Sequence, residues 1–408
     1  MSESPNGEVA ESPEPSIWQY RLLQDCALPK APAVERLKKG MLTSLWGQWT
    51  SRRQPAPETP ELNPIADLQI KRIAPQPAAA DKLEALQQAL SDWAREGCQR
   101  SPTAVLIQAP FGDEAEVATL WAESQEWDLV QVQRDDYGEA AFAAMESAGA
   151  PLVVTQVHDG FLRGVDGFRR FERLLLARER SEQPVLLVVD QWCWNLLRTV
   201  LPFVCHWPQW ALQPLDAEAL EYWLKQLMSG AYRQQRFLQA SNQRPLFSQD
   251  LQQGEEQSRY LQLLAADSRG DPAVILARWR GALRQTLSND NGSDSSDDKQ
   301  DNKQKDDEAE VEGIWVQAWP NPDWPSQNGR VRDELVLLYG VIQHGGIALD
   351  DLPSVCSSSP SEVMSILRSL QSRNILHCEE GVCRLNPLAY PVARKALLSE
   401  SFLCDGES

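Results

Sequence analysis

Between residues 104 and 213, short apolar runs alternate with segments of helical periodicity. That alternation constrains the fold more than any other feature of the chain. The runs cover 104–108, 128–133, 152–157, 184–189 and 210–213. Between them, 114–123, 139–147 and 168–180 read as helices, and in the last of these Phe168, Phe171, Leu174 and Leu175 share one face. Ahead of the block, 81–97 places Leu83, Leu86, Leu90 and Trp93 on one helical face. Strands this short and this apolar cannot expose a face to water. They predict a parallel sheet covered by helices on both sides.

After Asp216 the spacing predicts helices only, at 217–228, 255–267 and 272–287. Gly270-Asp271-Pro272 ends one helix and opens the next, with Gly as a stop, Asp as a cap and Pro in the first turn. Residues 217–287 thus read as a small all-helical domain. Residues 288–312 hold ten acids against three lysines and almost nothing apolar, the composition of an extended, self-repelling linker. Within 313–398 the order is helix (332–343), short helix (349–355), helix (359–373), a hairpin (375–378 and 382–385) and a last helix (387–398), the order of a winged helix-turn-helix. A tail, 399–408, follows. Trp315, Trp319 and Trp324 lead into this unit, either to clamp it to the helical domain or to offer an aromatic strip.

At the other end, 1–15 is an acidic tail and 17–28 a short helix. In 34–49, Leu37, Met41, Leu45 and Trp49 recur every four residues. Arg36, Lys38, Lys39, Arg52 and Arg53 surround them, with Trp46 on the same segment. A basic helix bearing tryptophans docks on a protein partner, lies on an anionic membrane surface, or packs on its own body. A Pro-rich linker, 54–64, closes an N-terminal region of 1–64 and leads to an α/β domain at 65–216.

The chain has 39 Lys+Arg against 58 Asp+Glu, a formal net charge of −19, and without 288–312 the balance is still −12. Broad, sequence-blind nucleic-acid binding needs a basic footprint and is disfavoured. The acidic N-terminus has no apolar segment of a secretory signal, and no run of about 18 apolar residues occurs. The expected location is cytoplasmic, with peripheral membrane contact through 34–53. None of the eight cysteines forms a CxxC, so no structural zinc site is expected. Cys378 and Cys383 are five apart across the expected hairpin and could be neighbours, but are read as buried thiols. The four histidines stand in no hydrolytic arrangement, and no catalytic constellation emerges.

The turn after the first strand reads Ala109-Pro110-Phe111-Gly112-Asp113-Glu114-Ala115-Glu116. A phosphate loop at such a place reads G-x-x-x-x-G-K-[ST]: its backbone N–H groups cradle phosphates, its Lys neutralises them and its hydroxyl holds Mg²⁺. Here Ala109, Glu114, Ala115 and Glu116 stand at the two glycine positions, the lysine and the hydroxyl. Asp113, Glu114 and Glu116 would meet a triphosphate where a cation is needed. Each like-charge contact at ~4 Å costs on the order of 4 kcal/mol at an effective dielectric of ~20. The segment therefore reads as a plain strand-to-helix turn. Gln156 lies near the end of the third strand and Asp190 ends the fourth. Asp190 would be a metal acid only if one strand had been miscounted, and on either count no lysine is available to complete a phosphate site. Trp192, Trp194, Trp207 and Trp210 are expected to pack the sheet edge against the helical domain.

From 104 to 398, this element order, the loop at 109–116, Gly270-Asp271-Pro272 and the two-stranded wing resemble the AAA+ and STAND-type ATPases, including the origin-recognition group. The resemblance implies an α/β fold class: a P-loop NTPase-like, five-stranded parallel sheet with a helical lid and a C-terminal winged helix-turn-helix. It also implies a nucleotide-dependent switch using ATP or ADP with Mg. The family's phosphate-binding lysine falls on Ala115 and its lid arginine on Ala273, while its lid proline matches Pro272. The resulting expectation is a pseudo-ATPase: a non-catalytic scaffold or adaptor, without a cofactor, that docks a protein partner. The alternative is a nucleotide-regulated transcription or defence switch that binds ATP or ADP through an altered site of Ala109, Gly112, Glu114, Ala115, Glu116, Gln156, Asp190 and Pro272. DNA contact through Arg368 and Arg373 ranks below protein docking, because Glu362 and the wing tip Glu379-Glu380 oppose it.

Overall fold

The computed structural model describes residues 16–30, 62–96, 99–134, 138–147, 149–179, 182–248, 258–286, 313–322 and 331–403. The acidic tail, the basic helix at 34–49 and the linker at 288–312 lie outside the described residues.

The chain opens with strands β1 (Tyr20–Leu22) and β2 (Leu62–Pro64) and helices α1 (Asp67–Ile73) and α2 (Leu83–Arg95). The alternating block follows as β3 (Thr103–Gln108), α3 (Glu114–Gln125), β4 (Asp128–Gln131), α4 (Glu139–Ser147), β5 (Leu152–Thr155), α5 (Val165–Glu179), β6 (Val185–Asp190), α6 (Gln191–Val200) and β7 (Gln209–Leu212). The sheet runs β1-β7-β3-β6-β5-β4, with β7 to β4 parallel and β1 antiparallel on β7. Side chains alternate across the central strands. Ala104, Leu106, Leu186 and Val188 enter the core on one face, and Val105, Ile107, Leu187 and Val189 enter the core on the other. Both faces being dry is why the runs are continuously apolar.

The expected helix at 17–28 is instead β1 and a single 3₁₀ turn, Leu23–Asp25. Strand β7 would otherwise leave its outer backbone groups unpaired, and β1 covers them. Trp18 and Tyr20 enter the core on alternate residues. The parallel sheet therefore has five strands, as expected, and gains a sixth at its edge.

The region after Asp216 is not all-helical. Helices α7 (Ala217–Leu227), α8 (Arg259–Asp267) and α9 (Pro272–Ala282) are joined by β8 (Phe237–Gln239), β9 (Leu283–Thr286) and β10 (Ile314–Val316). With β2 these form a second sheet, β2-β9-β10-β8. The last expected helix thus stops at Ala282 and continues as a strand. Segments 62–64 and 314–316, assigned from sequence to a linker and to the C-terminal unit, pair here instead. Strands of three or four residues are too short to show a period, and their partners lie far away in sequence.

The C-terminal unit contains α10 (Val331–Gln343), β11 (Ile347–Ala348), α11 (Leu352–Cys356), α12 (Pro360–Ser372), β12 (Leu376–Glu379), β13 (Val382–Leu385) and α13 (Tyr390–Ser399), with sheet order β11-β13-β12. Ser359 and Glu362 cap α12 reciprocally, and Pro360 fills its first position. The hairpin turns on Glu380 and Gly381, both at positive φ, as a two-residue turn requires. Cys378 and Cys383 are directly opposed, 4.2 Å apart at Cα, and are joined in a disulfide rather than standing as free thiols. No described helix is long and apolar enough to cross a membrane.

The tryptophans after Asp190 pack differently from expectation. Trp192 turns to the C-terminal unit, edge-on to Tyr339 and Tyr390, and its indole N–H donates to the Tyr390 hydroxyl at 3.2 Å. Trp194 stacks on Trp207 beneath the sheet and donates to Gln209 Oε1 at 2.9 Å. The helical region receives Trp319 instead, which lies against Tyr260 and under Arg278.

Candidate functional site

The candidate site begins where β3 leaves the sheet. The loop 109–113 makes a tight turn, with Gly112 N–H donating to the Ala109 carbonyl at 2.9 Å. Gln108 Nε2 reaches across to the Gly112 carbonyl at 3.2 Å. The Asp113 carbonyl receives the N–H groups of Glu116 and Val117, and α3 begins.

Glu114 decides the character of this loop. It is 1% exposed, and its carboxylate folds back over the turn. A Cβ placed on Gly112 would overlap that carboxylate, so any larger residue there would have to displace the Glu114 side chain. Neither carboxylate oxygen has a hydrogen-bond partner from another described residue. Burial pushes the Glu114 carboxyl up to about 7. The Lys82 ammonium and its own backbone N–H pull it back, while Asp113 and Asp271 push it further.

Lys82 is the residue that sequence reading missed. It ends the 3₁₀ turn Ala79–Lys82 ahead of α2, is 3% exposed, and pairs its Nζ with Asp113 Oδ1. The ammonium also sits 5.1 Å from the centre of the Trp18 ring. A lysine thus stands beside the loop, unforeseen from the sequence, but its ammonium is engaged by Asp113. The cation comes from outside the motif, and no local spacing could have announced it.

Asp271 closes the cluster from the opposite side. It caps α9, its Oδ1 accepting from Ala273 N at 2.8 Å and Val274 N at 3.1 Å, which places Pro272 in the first turn as read from sequence. Its Oδ2 is buried without a partner, and burial raises its carboxyl to about 6. The Tyr20 hydroxyl, also buried and unpartnered, has its pKa raised by burial and by Glu114 and Asp113. Five polar residues from four separate segments thus meet in one dry place.

The remaining site residues spread along the same sheet edge. Ala115 packs on the core and Glu116 points to solvent. Gln156 takes a left-handed backbone, φ 54°, and accepts from Gln131 Nε2 at 2.7 Å. Asp190 ends the fourth parallel strand, so the miscount that would have made it a third-strand acid does not arise. Its carboxylate caps α6, accepting from Trp192 N at 2.7 Å. Of the two arginines read as DNA contacts, Arg368 is exposed. Arg373 is committed within the fold, pairing with Glu334 at 2.6 Å. Residues 36, 38, 39, 46, 49, 52 and 53 lie outside the described residues.

No family model matches the chain, and no curated relative matches it. Among solved structures, the chain is similar to Cdc6p from Pyrobaculum aerophilum, with 13% identity, 83% of this chain and 100% of that chain covered, and a TM-score of 0.32. A likeness that weak carries no argument, and the assignment below rests on strand order and on the loop.

A Mg-nucleotide does not fit these residues as they stand. The turn's interior is filled by a carboxyl group, the nearest cation is spent on Asp113, and no hydroxyl follows at position 116.

Proposed function

We propose that this chain is an AAA+-like protein whose phosphate loop is shut by its own side chain, and that it serves as a non-catalytic scaffold or adaptor for a protein partner. Support for the fold comes from the parallel strands, which in chain succession lie fifth, first, fourth, third, second across the sheet. The capped helix at Asp271-Pro272 and the helix–hairpin–helix order of 331–399 add to it, the latter read as a winged helix-turn-helix. The observation that carries the functional reading is Glu114: a buried carboxyl occupies the space in which a phosphate loop would hold phosphate. Partner docking rests on the basic segment 34–53 and on the acidic wing tip, which suits protein better than DNA.

A second reading, a nucleotide-regulated switch, has one observation in its favour. A cavity of about 150 Å³ lies between the loop, α6 and the start of α9. Asn195, Ser268 and Asp271 are among its lining residues, and each has a buried side-chain polar atom without a partner.

Thermal unfolding with millimolar Mg-ATP or Mg-ADP separates the two. The scaffold reading expects no change in melting temperature for the natural chain. It expects a nucleotide-dependent rise in a chain carrying Glu114→Gly, Ala115→Lys and Glu116→Thr together. A saturable rise in the natural chain would favour the switch.

A further inference from the structure

On the other side of the loop lies a larger cavity, about 480 Å³, between the sheet edge and the C-terminal unit. Its cations come from neither the loop nor the lid. Arg134 follows β4. One of its terminal nitrogens pairs with Asp159 Oδ1 and also donates to the His344 carbonyl at 3.3 Å. The other, Nη1, is buried without a partner. Arg384, on β13, faces the same space. No carboxylate pairs with it among the described residues. It lies across Gly346, where a Cβ would stand 2.8 Å from Arg384 Cγ, so glycine at φ 116° is what lets the arginine side chain pass there. His377 is the direct cross-strand neighbour of Arg384 and lines the same cavity. Gln108 adds a buried Oε1 that lacks a donor. Asp159 is the one carboxylate on the wall, and it is already neutralised by Arg134.

We propose that this cavity binds a small oxyanion of the phosphate-ester or dicarboxylate class, held between Arg134 and Arg384. Arg384 offers an unpaired guanidinium and Arg134 a second one already held by Asp159, from elements far apart in sequence, and planar donor forks suit such groups. A hydroxyl on the ligand would satisfy Gln108 Oε1. The occupant would tie the C-terminal hairpin to the sheet edge, so binding reads out as added stability of the whole chain. Pro110, Phe111 and Gly112 of the loop line one wall of the cavity, while both arginines come from outside it.

The test is thermal unfolding of the full chain in sodium phosphate or sodium malonate, each against sodium chloride of equal ionic strength. The expected result is a saturable rise of roughly 2–5 °C at about 50 mM of one oxyanion. Phosphate acting more strongly than malonate assigns a phosphate ester, and the reverse assigns a dicarboxylate. Arg384→Gln should shift the midpoint for the oxyanion at least tenfold, each chain being measured against its own melt in chloride. Arg368→Gln, an equal loss of charge on another surface, should leave it unchanged. A response no larger than that to chloride would overturn the proposal. So would a response that survives Arg384→Gln, or one lost equally in Arg368→Gln. Mg-ATP reports on the loop alone only in the Arg384→Gln chain, because a nucleotide is itself a phosphate ester.

Discussion

Lys82, which is buried, pairs with the partly exposed Asp113 and so joins the turn ahead of the sheet to the loop after its first parallel strand. Asp113 cannot leave that pair cheaply, and Glu114 beside it has no such cation of its own. The loop is thus fixed from both sides: by an ion pair at one residue and by a buried carboxyl at the next.

Removing the cation alone should be costly. Lys82→Met leaves Asp113 partly buried and unpaired beside Glu114, and we expect a loss of about 3–5 kcal/mol in urea unfolding. Lys82→Met combined with Asp113→Leu should recover a good part of that loss, because no charge is then stranded.

Glu114 makes stability depend on pH in a defined direction. Its folded pKa, about 7, lies above the ordinary value of 4.5. The folded chain therefore binds the extra proton between these values, and this contribution falls as pH rises from about 4.5 through 7. Glu114→Gln keeps the neutral shape without the titration. It should match the natural chain at pH 5 and exceed it by about 1–3 kcal/mol at pH 8. Equal differences at both pH values would contradict the assignment.

His344 works in the opposite sense. It links α10 to the segment after β5: Nδ1 donates to the Gly340 carbonyl at 2.6 Å, Nε2 accepts from Arg163 N at 3.0 Å, and the ring stacks on Phe161. Burial, with help from Arg134, Arg163 and His158, lowers its pKa to about 4. The unfolded chain protonates near 6.5, so this contribution is lost as pH falls from 6.5 towards 4. His344→Phe keeps the stacking but loses both hydrogen bonds. It should cost about 1–3 kcal/mol at pH 7 and show a shallower acid decline than the natural chain.

Asp190 is read here as a helix cap rather than a metal acid. Asp190→Ala should cost about 1–2 kcal/mol, and the cost should be the same with and without Mg-ATP. A cost that grows with Mg-ATP would return Asp190 to a nucleotide site.

The sequence showed the parallel sheet because β3 and β6 are apolar on both faces, a signal that needs no knowledge of partners. It showed α12 because Ser359, Pro360 and Glu362 are local instructions. It concealed β1, β2, β8, β9 and β10, whose three or four residues become strands only when distant segments meet. At the site, the odd residues of the loop were visible at once, and Glu114 among them. The fate of its carboxyl was not, because that depends on Lys82, Asp271 and Tyr20, each brought in from elsewhere by the fold. Arg373 shows the converse: a residue type suited to DNA, already engaged by Glu334.

The central claim is that the natural chain holds its phosphate loop shut. Isothermal titration of the full chain with Mg-ATP and then Mg-ADP, to millimolar ligand, tests it most directly. The account predicts no binding heat beyond dilution. A one-to-one isotherm of micromolar affinity would contradict it, because Glu114 would then have to leave the loop to admit the phosphates.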